Sequence, residues 1–213
     1  MKNKRLWSLI GGIVLIGAAF LLLNFRVAAS NTQAIQSIMT TELEGNYPDR
    51  PQRTDKISMV LAGEGSLVTA LQKALTEQIN KVGMGQIELE QELKPAYSNP
   101  VMVVKVGRSS PIWTPFFAMS RFSIQAGYAT NGDTTFMEVL DKTQPHIRNP
   151  DPSVVNLYVE YEVSDRSFGL ISRLGYHQYL ADYLAQEIVQ ALKNLYNIQD
   201  PTGWNPHVFG EQL

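Results

Sequence analysis

The sequence predicts an α+β fold, a two-layer sandwich with a mostly antiparallel sheet and two helices on one face, set behind an N-terminal transmembrane helix. Three patterns predict it. Residues 6–25 are almost wholly apolar. Two segments, 67–82 and 175–196, repeat apolar side chains at helical spacing. Between and around them, shorter segments alternate apolar and polar residues as half-buried strands do. Helices gathered on one face of an antiparallel sheet make two layers, here in the order β-α-β-β-β-β-β-α.

The chain opens with a basic stub, residues 1–5, holding Lys2, Lys4 and Arg5. From Leu6 the run is apolar to Phe25, with Trp7, Ile10, Ile13, Leu15, Phe20 and Leu22 among its anchoring side chains. A helix needs roughly 20 apolar residues to cross the hydrocarbon core of a bilayer. After Arg26 the next basic residue is Arg50. Positive charge near a span stays cytoplasmic, so the expected topology is single-pass, with the N-terminus cytoplasmic and the C-terminal domain extracytoplasmic, periplasmic or cell-surface. A cleaved signal peptide is the alternative. Val27-Ala28-Ala29 offers small residues before Ser30, but cleavable apolar cores run about 7–15 residues, shorter than this one.

Residues 26–55 read as a juxtamembrane helix and a stalk. Ile35, Ile38, Met39 and Leu43 recur at helical spacing, a stripe suited to a second copy of the chain or a partner's helix. Asn46-Tyr47-Pro48-Asp49-Arg50-Pro51-Gln52-Arg53 has the prolines and charges of an extended linker.

The domain, residues 56–198, begins with a buried strand over Ile57–Ala62. Gly63-Glu64-Gly65-Ser66 turns it into a helix, with Ser66 as the expected N-cap and Gly83 as its stop. Ile87–Leu93 alternates cleanly, and Val101–Val106 is dense enough for a central strand. Asn131-Gly132, between strand-like Phe122–Thr130 and Thr134–Leu140, predicts a β-hairpin. A Pro-rich loop spans 144–152. Val155, Leu157, Val159, Tyr161 and Val163 then alternate against Asn156, Tyr158, Glu160 and Glu162, another half-exposed strand. The closing helix carries Tyr176, Leu180, Leu184, Ile188, Ala191, Leu192 and Leu195 on one stripe. Residues 199–213 form an irregular tail.

The chain has 18 basic and 20 acidic residues and no cysteine. Disulfides, thiolate metal sites and a lipid-modified cysteine are therefore excluded. Setting aside Lys2, Lys4, Arg5 and Arg26 leaves 14 basic residues against 20 acidic ones, a net charge of −6. That balance repels nucleic acid.

Catalytic patterns are sparse. Strand-Gly63-Glu64-Gly65-Ser66-helix lacks the third glycine of a dinucleotide fingerprint and the Lys-Ser or Lys-Thr pair of a P-loop. No Gly-x-Ser-x-Gly elbow accompanies His146, His177 or His207, and His177 is expected to face water. Glu88, Glu90 and Glu92 share one strand face, as do Glu160 and Glu162; only as neighbours would such rows attract a cation. No cofactor or metal is assigned.

The segment Pro111–Met119 is different. Its prolines predict a loop, and Trp113, Phe116, Phe117 and Met119 would then form an exposed apolar patch, the mark of an interaction site. Folding back to plug the core is the alternative. The expected function is a non-enzymatic, membrane-anchored accessory or scaffold subunit of a membrane or envelope complex. It would meet a protein partner through Trp113, Phe116, Phe117 and Met119, and through Ile35, Ile38 and Met39. A binding module for a lipid or hydrophobic small molecule and an exported hydrolase are the alternatives.

Overall fold

The computed structural model describes residues 2–40, 54–107, 111–135 and 156–195. Helix α1 (Lys2–Leu22) leads into strand β1 (Arg26–Thr40). There follow β2 (Lys56–Ala62), α2 (Ser66–Lys81), β3 (Gln86–Glu90), β4 (Val101–Val106), β5 (Ile112–Thr114), β6 (Phe117–Ala129), β7 (Asn156–Ile171) and α3 (Arg173–Leu195). The result is α+β, as expected.

One sheet takes all seven strands, in the order β1-β7-β6-β4-β2-β3, with β5 on β6. Pairing is antiparallel from β1 through β4, but β2 runs parallel to both β4 and β3. A parallel neighbour needs a crossover, and α2 supplies it between β2 and β3. The sheet is therefore mixed.

Alternation places one face of every long strand against the helices. Met59, Met102, Ile124, Val159, Tyr161 and Val163 meet Leu71, Leu75 and Ile79 of α2 and Tyr176, Leu180, Leu184 and Ile188 of α3 in a single core. Each such side chain contributes roughly 1.5–3 kcal/mol by leaving water, and no staple is needed. On the opposite face Val60, Val101, Val103, Ala129 and Tyr158 make a small cluster with Tyr97.

Several expectations are corrected. Residues 26–40 are not a helix or stalk: they form β1, which pairs with β7 in unbroken register from Arg26↔Ile171 to Thr40↔Leu157. Leu43 and the expected linker 46–53 lie outside the described residues, as does the tail. The Asn131-Gly132 turn is present, but it closes no hairpin on β6. Ala129 already pairs with Val101 on one side and Asn156 on the other, so no edge is open to a returning strand. Asp133 instead bridges Ala96, and Thr134 donates its backbone N–H to the Pro95 carbonyl at 3.0 Å. Gly132 has φ 77°, and a Cβ there would stand 2.2 Å from the Tyr97 carbonyl oxygen, so this turn requires glycine.

Pro111–Pro115 is not a loop either. The prolines flank the three residues of β5, which pairs with β6 from Ile112↔Met119 to Thr114↔Phe117. A proline outside each end removes no ladder bond.

Among the described residues no helix is long and apolar enough to cross a membrane. The expected transmembrane helix over 6–25 is therefore not supported: α1 runs from Lys2 to Leu22, and Phe25 already belongs to the junction with the domain.

Ser66 is the first residue of α2 rather than its cap; Gly65 holds the cap position without a side-chain bond. The Ser66 hydroxyl reaches His177 Nδ1 at 2.6 Å, and His177 is buried, not solvated. Tyr176 faces the sheet, so its neighbour, about 100° round the helix at 3.6 residues per turn, faces α2. Burial lowers the His177 pKa, and Arg173 one turn earlier adds to the effect. Because the folded pKa lies below the unfolded one, the unfolded chain binds the proton first. Stability is therefore complete above about pH 6.5 and falls as the pH drops below it. His177→Gln is expected to flatten the slope of unfolding free energy between about pH 5 and 7, measured by urea titration; an unchanged slope would refute the assignment.

Candidate functional site

Alternation inverts at one end of the sheet. Along most of β7 apolar residues face the helices. Beyond Val163 the helix-facing positions become Asp165 and Ser167, both buried, while Phe168 and Leu170 face outward and are exposed. β1 repeats the inversion. Ser30 and Thr32 are sheltered, whereas Val27 and Ile35 are 73% and 72% exposed. This end is polar inside and apolar outside, and helix α1 leaves from it.

The polar interior converges on Asp165. Its Oδ1 accepts from Thr32 at 2.7 Å, and its Oδ2 from Tyr176 at 2.8 Å and Ser167 at 3.0 Å. Since those hydroxyls spend their hydrogens on the carboxylate, the next shell must donate to them. Ser120 donates to Tyr176 (2.9 Å), Tyr179 to Thr32 (2.5 Å), and Ser30 to Ser167. Arg26 donates to Ser30 and lays its guanidinium 3.7 Å from the centre of the Tyr179 ring. Among the described residues Arg26 Nε, which is buried, has no hydrogen-bond partner. A chain of hydrogen-bonded hydroxyls thus links Arg26 to Asp165 and ties β1, β6, β7 and α3 together.

Burial pushes the Tyr176 hydroxyl far above the usual phenol range. Further along, Gln36 donates to the Tyr161 hydroxyl at 3.0 Å, and burial raises Tyr161 likewise. Burial also raises the Glu187 carboxyl, and pushes Tyr183 up to about 12.

The root of α1 is fixed by one buried hydroxyl. Ser172 Oγ donates to the Phe25 carbonyl (2.8 Å) and accepts from the Phe25 and Gly175 N–H groups (2.9 and 3.0 Å). It caps α3 and holds the α1–β1 junction together. A Cβ on Gly175 would stand 2.3 Å from the Phe25 carbonyl oxygen, so only glycine admits this approach.

The expected contact residues divide. Trp113 is half-buried, packs on the core and donates its indole N–H to the Ile171 carbonyl at 3.2 Å. Phe116 tips the β5–β6 turn and is 66% exposed. Phe117 lies with its ring 5.0 Å from Phe168, and Met119 is half-buried. These side chains point different ways and do not gather around one cavity. Ile10, Ile13, Leu15 and Leu22 of α1 are exposed. Phe20 packs edge-on against Phe25 at 5.0 Å and lies 6.4 Å from Phe116. The side chains of Trp7, Ile38 and Met39 lie outside the described residues, as do His146 and His207.

The acidic rows do not meet. β2, β4 and β6 separate β3 from β7; Glu88 pairs with Lys56, and Glu90 with Lys94 at 2.7 Å. Among the described residues no group of acids and histidines could hold a metal. Ser66 and His177 touch, and among the described residues no carboxylate is bonded to the imidazole, the group that orients a catalytic base in a triad.

Sequence reasoning missed Asp165, Ser172, Phe168 and Leu170. The signal was there in the inverted alternation, apolar at 168 and 170 against polar at 165 and 167.

No protein-family model and no curated protein matches the sequence. Among solved structures the chain is similar to a point variant of the PelC dodecamer from Paraburkholderia phytofirmans, with TM-score 0.37 and 10% identity over 74% of this chain and 97% of that one. The PelC dodecamer from the same organism in a second crystal form gives 0.38 and 9% with the same coverage. A minor lipoprotein from Acinetobacter baumannii gives 0.31 and 13% over 67% and 94%. At these scores nothing about function is carried over.

Asp165→Asn sets amide hydrogens against hydroxyl hydrogens already aimed at the carboxylate. The expected loss is roughly 3–5 kcal/mol, the range for breaking a buried charged network. Hydrogen exchange is expected to quicken in β1 before β4; a loss under about 1 kcal/mol, the size of one ordinary hydrogen bond, would show the network to be dispensable.

Proposed function

We propose that this chain is a non-enzymatic, membrane-associated accessory or scaffold subunit, held by α1 with its domain on the extracytoplasmic side. One observation carries the reading. From Ile10 to Leu22 the helix exposes apolar side chains along its length, yet its root is built into the domain. An apolar helix has no reason to leave a folded domain bare unless lipid or protein covers it. Lys2, Lys4 and Arg5 lie at its N-terminal end and favour a cytoplasmic N-terminus.

The contact with a partner protein is assigned to β1. It pairs only with β7 among the described residues, leaving one long edge open. Proteins that keep such edges private place charges, prolines or bulges on them. β1 has an unbroken register, no proline, and no charge after Arg26. An added strand would bond to the open edge, and exposed Ile35 offers an apolar contact beside it.

Leu15→Lys is expected to raise the cost of insertion by about 2.5–3.5 kcal/mol and to release the full chain from membranes on fractionation. Retention equal to that of the parent would overturn the membrane reading. Ile35→Lys is expected to leave retention and circular dichroism unchanged while the proteins co-purified in mild detergent disappear. Their persistence would remove β1 from the interface.

A further inference from the structure

We infer that the α1 end of the domain is itself a lipid-binding surface, so that the domain rests on the bilayer instead of hanging clear of it. The inference rests on the membrane reading of α1 and names what covers the apolar exterior around its root.

The surface is a collar. Val27 and Leu170 are paired across β1 and β7, and Phe168 lies one turn of the pleat further along β7. The β5–β6 turn closes the collar, its Phe116 carbonyl accepting from Gly169 N–H at 3.0 Å. All four side chains, Val27, Phe116, Phe168 and Leu170, are exposed. They face outward because the interior behind them is polar.

Depth follows from the ring contacts. Phe116 lies beside Phe20, two residues short of the last residue of α1. At about 1.5 Å per residue, a side chain level with Phe20 sits below the point where the helix leaves lipid. Two residues at that rise place it about 3 Å below the end of α1, on the shallow side of the roughly 5–10 Å to which interfacial elements bury their apolar faces. No linker intervenes, because Phe25 is bonded to Ser172.

Charge points the same way. Segments 20–33, 111–121 and 164–175 build this end, and their one acid, Asp165, is buried. Arg166 and Arg173 are exposed there. An arginine beside an apolar patch lays its stem on hydrocarbon and its head among phosphates. A protein partner would suit the apolar patch equally well, but it would not explain continuity with α1 or an acid-free rim on an acidic domain.

The chain lacks cysteine, so single nitroxide labels are unambiguous. Full-length protein carrying Phe116→Cys, Phe168→Cys, Leu15→Cys or Leu89→Cys is reconstituted in vesicles of phosphatidylethanolamine and phosphatidylglycerol. Leu89 is exposed and registers through Met59, Met102 and Tyr128 with Leu157, the far end of β7. Oxygen and a water-soluble nickel chelate then report lipid and water. Labels at 116 and 168 are expected to be relaxed by oxygen and shielded from nickel, less completely than Leu15, which lies deeper along α1, while Leu89 shows the reverse. Both replaced side chains are exposed, so the fold is retained by circular dichroism; Leu170→Cys gives a second reporter on β7. Nickel access at 116 and 168 with Leu15 still in lipid would overturn the collar and leave the anchor standing. Nickel access at Leu15 as well would overturn both.

Discussion

A single buried hydroxyl, that of Ser172, decides how the two unlike parts of this chain are joined. It satisfies both backbone groups of Phe25 and the third N–H of α3 at once. Without it the Phe25 N–H would lie unpaired in a sheltered place, at a cost of about 1–3 kcal/mol, while the Phe25 carbonyl would keep the Ser172 backbone N–H at 3.0 Å. With it, β1 starts beside Ile171 and has one register available. Gly175 is the steric counterpart, since any larger residue would push Phe25 away.

The Asp165 network extends this constraint along the sheet. An edge strand with Arg26, Ser30, Thr32 and Gln36 facing inward cannot be held by hydrophobic burial. Its inner side chains need partners, and β7 and α3 supply them as Asp165, Ser167, Tyr161, Tyr176 and Tyr179. Hydroxyls dominate because each can donate and accept, so one carboxylate orients a whole relay of them. The half of the sheet nearest α2 is held differently, by Met59, Leu71, Leu75 and Met102. One layer of helices thus covers two chemistries, apolar under β2 and β4 and polar under β1.

That division explains what could be read from the sequence. Helices α2 and α3, strands β2 and β4, and β7 up to Val163 announce themselves because burial there is apolar. β1 does not, since its inward residues are polar apart from Ala28 and Ala34, and Ile35, Ile38 and Met39 imitate a helical stripe. The Asn131-Gly132 signal is a true turn, but local chemistry cannot reveal that both edges of β6 are taken. Of the expected contact residues, Phe116 and Ile35 are exposed, while Trp113 serves the core. Ser66 and His177, distant in sequence, are joined only because α2 and α3 lie side by side.

The unbroken register of β1 has a mechanical consequence. Any tension on α1 enters the domain along the strand axis, while the ladder bonds to β7 lie across it. A pull therefore shears the whole ladder, and its bonds share the load instead of parting one by one. Over fifteen residues, at roughly 3.4 Å each, that grip is about 50 Å long.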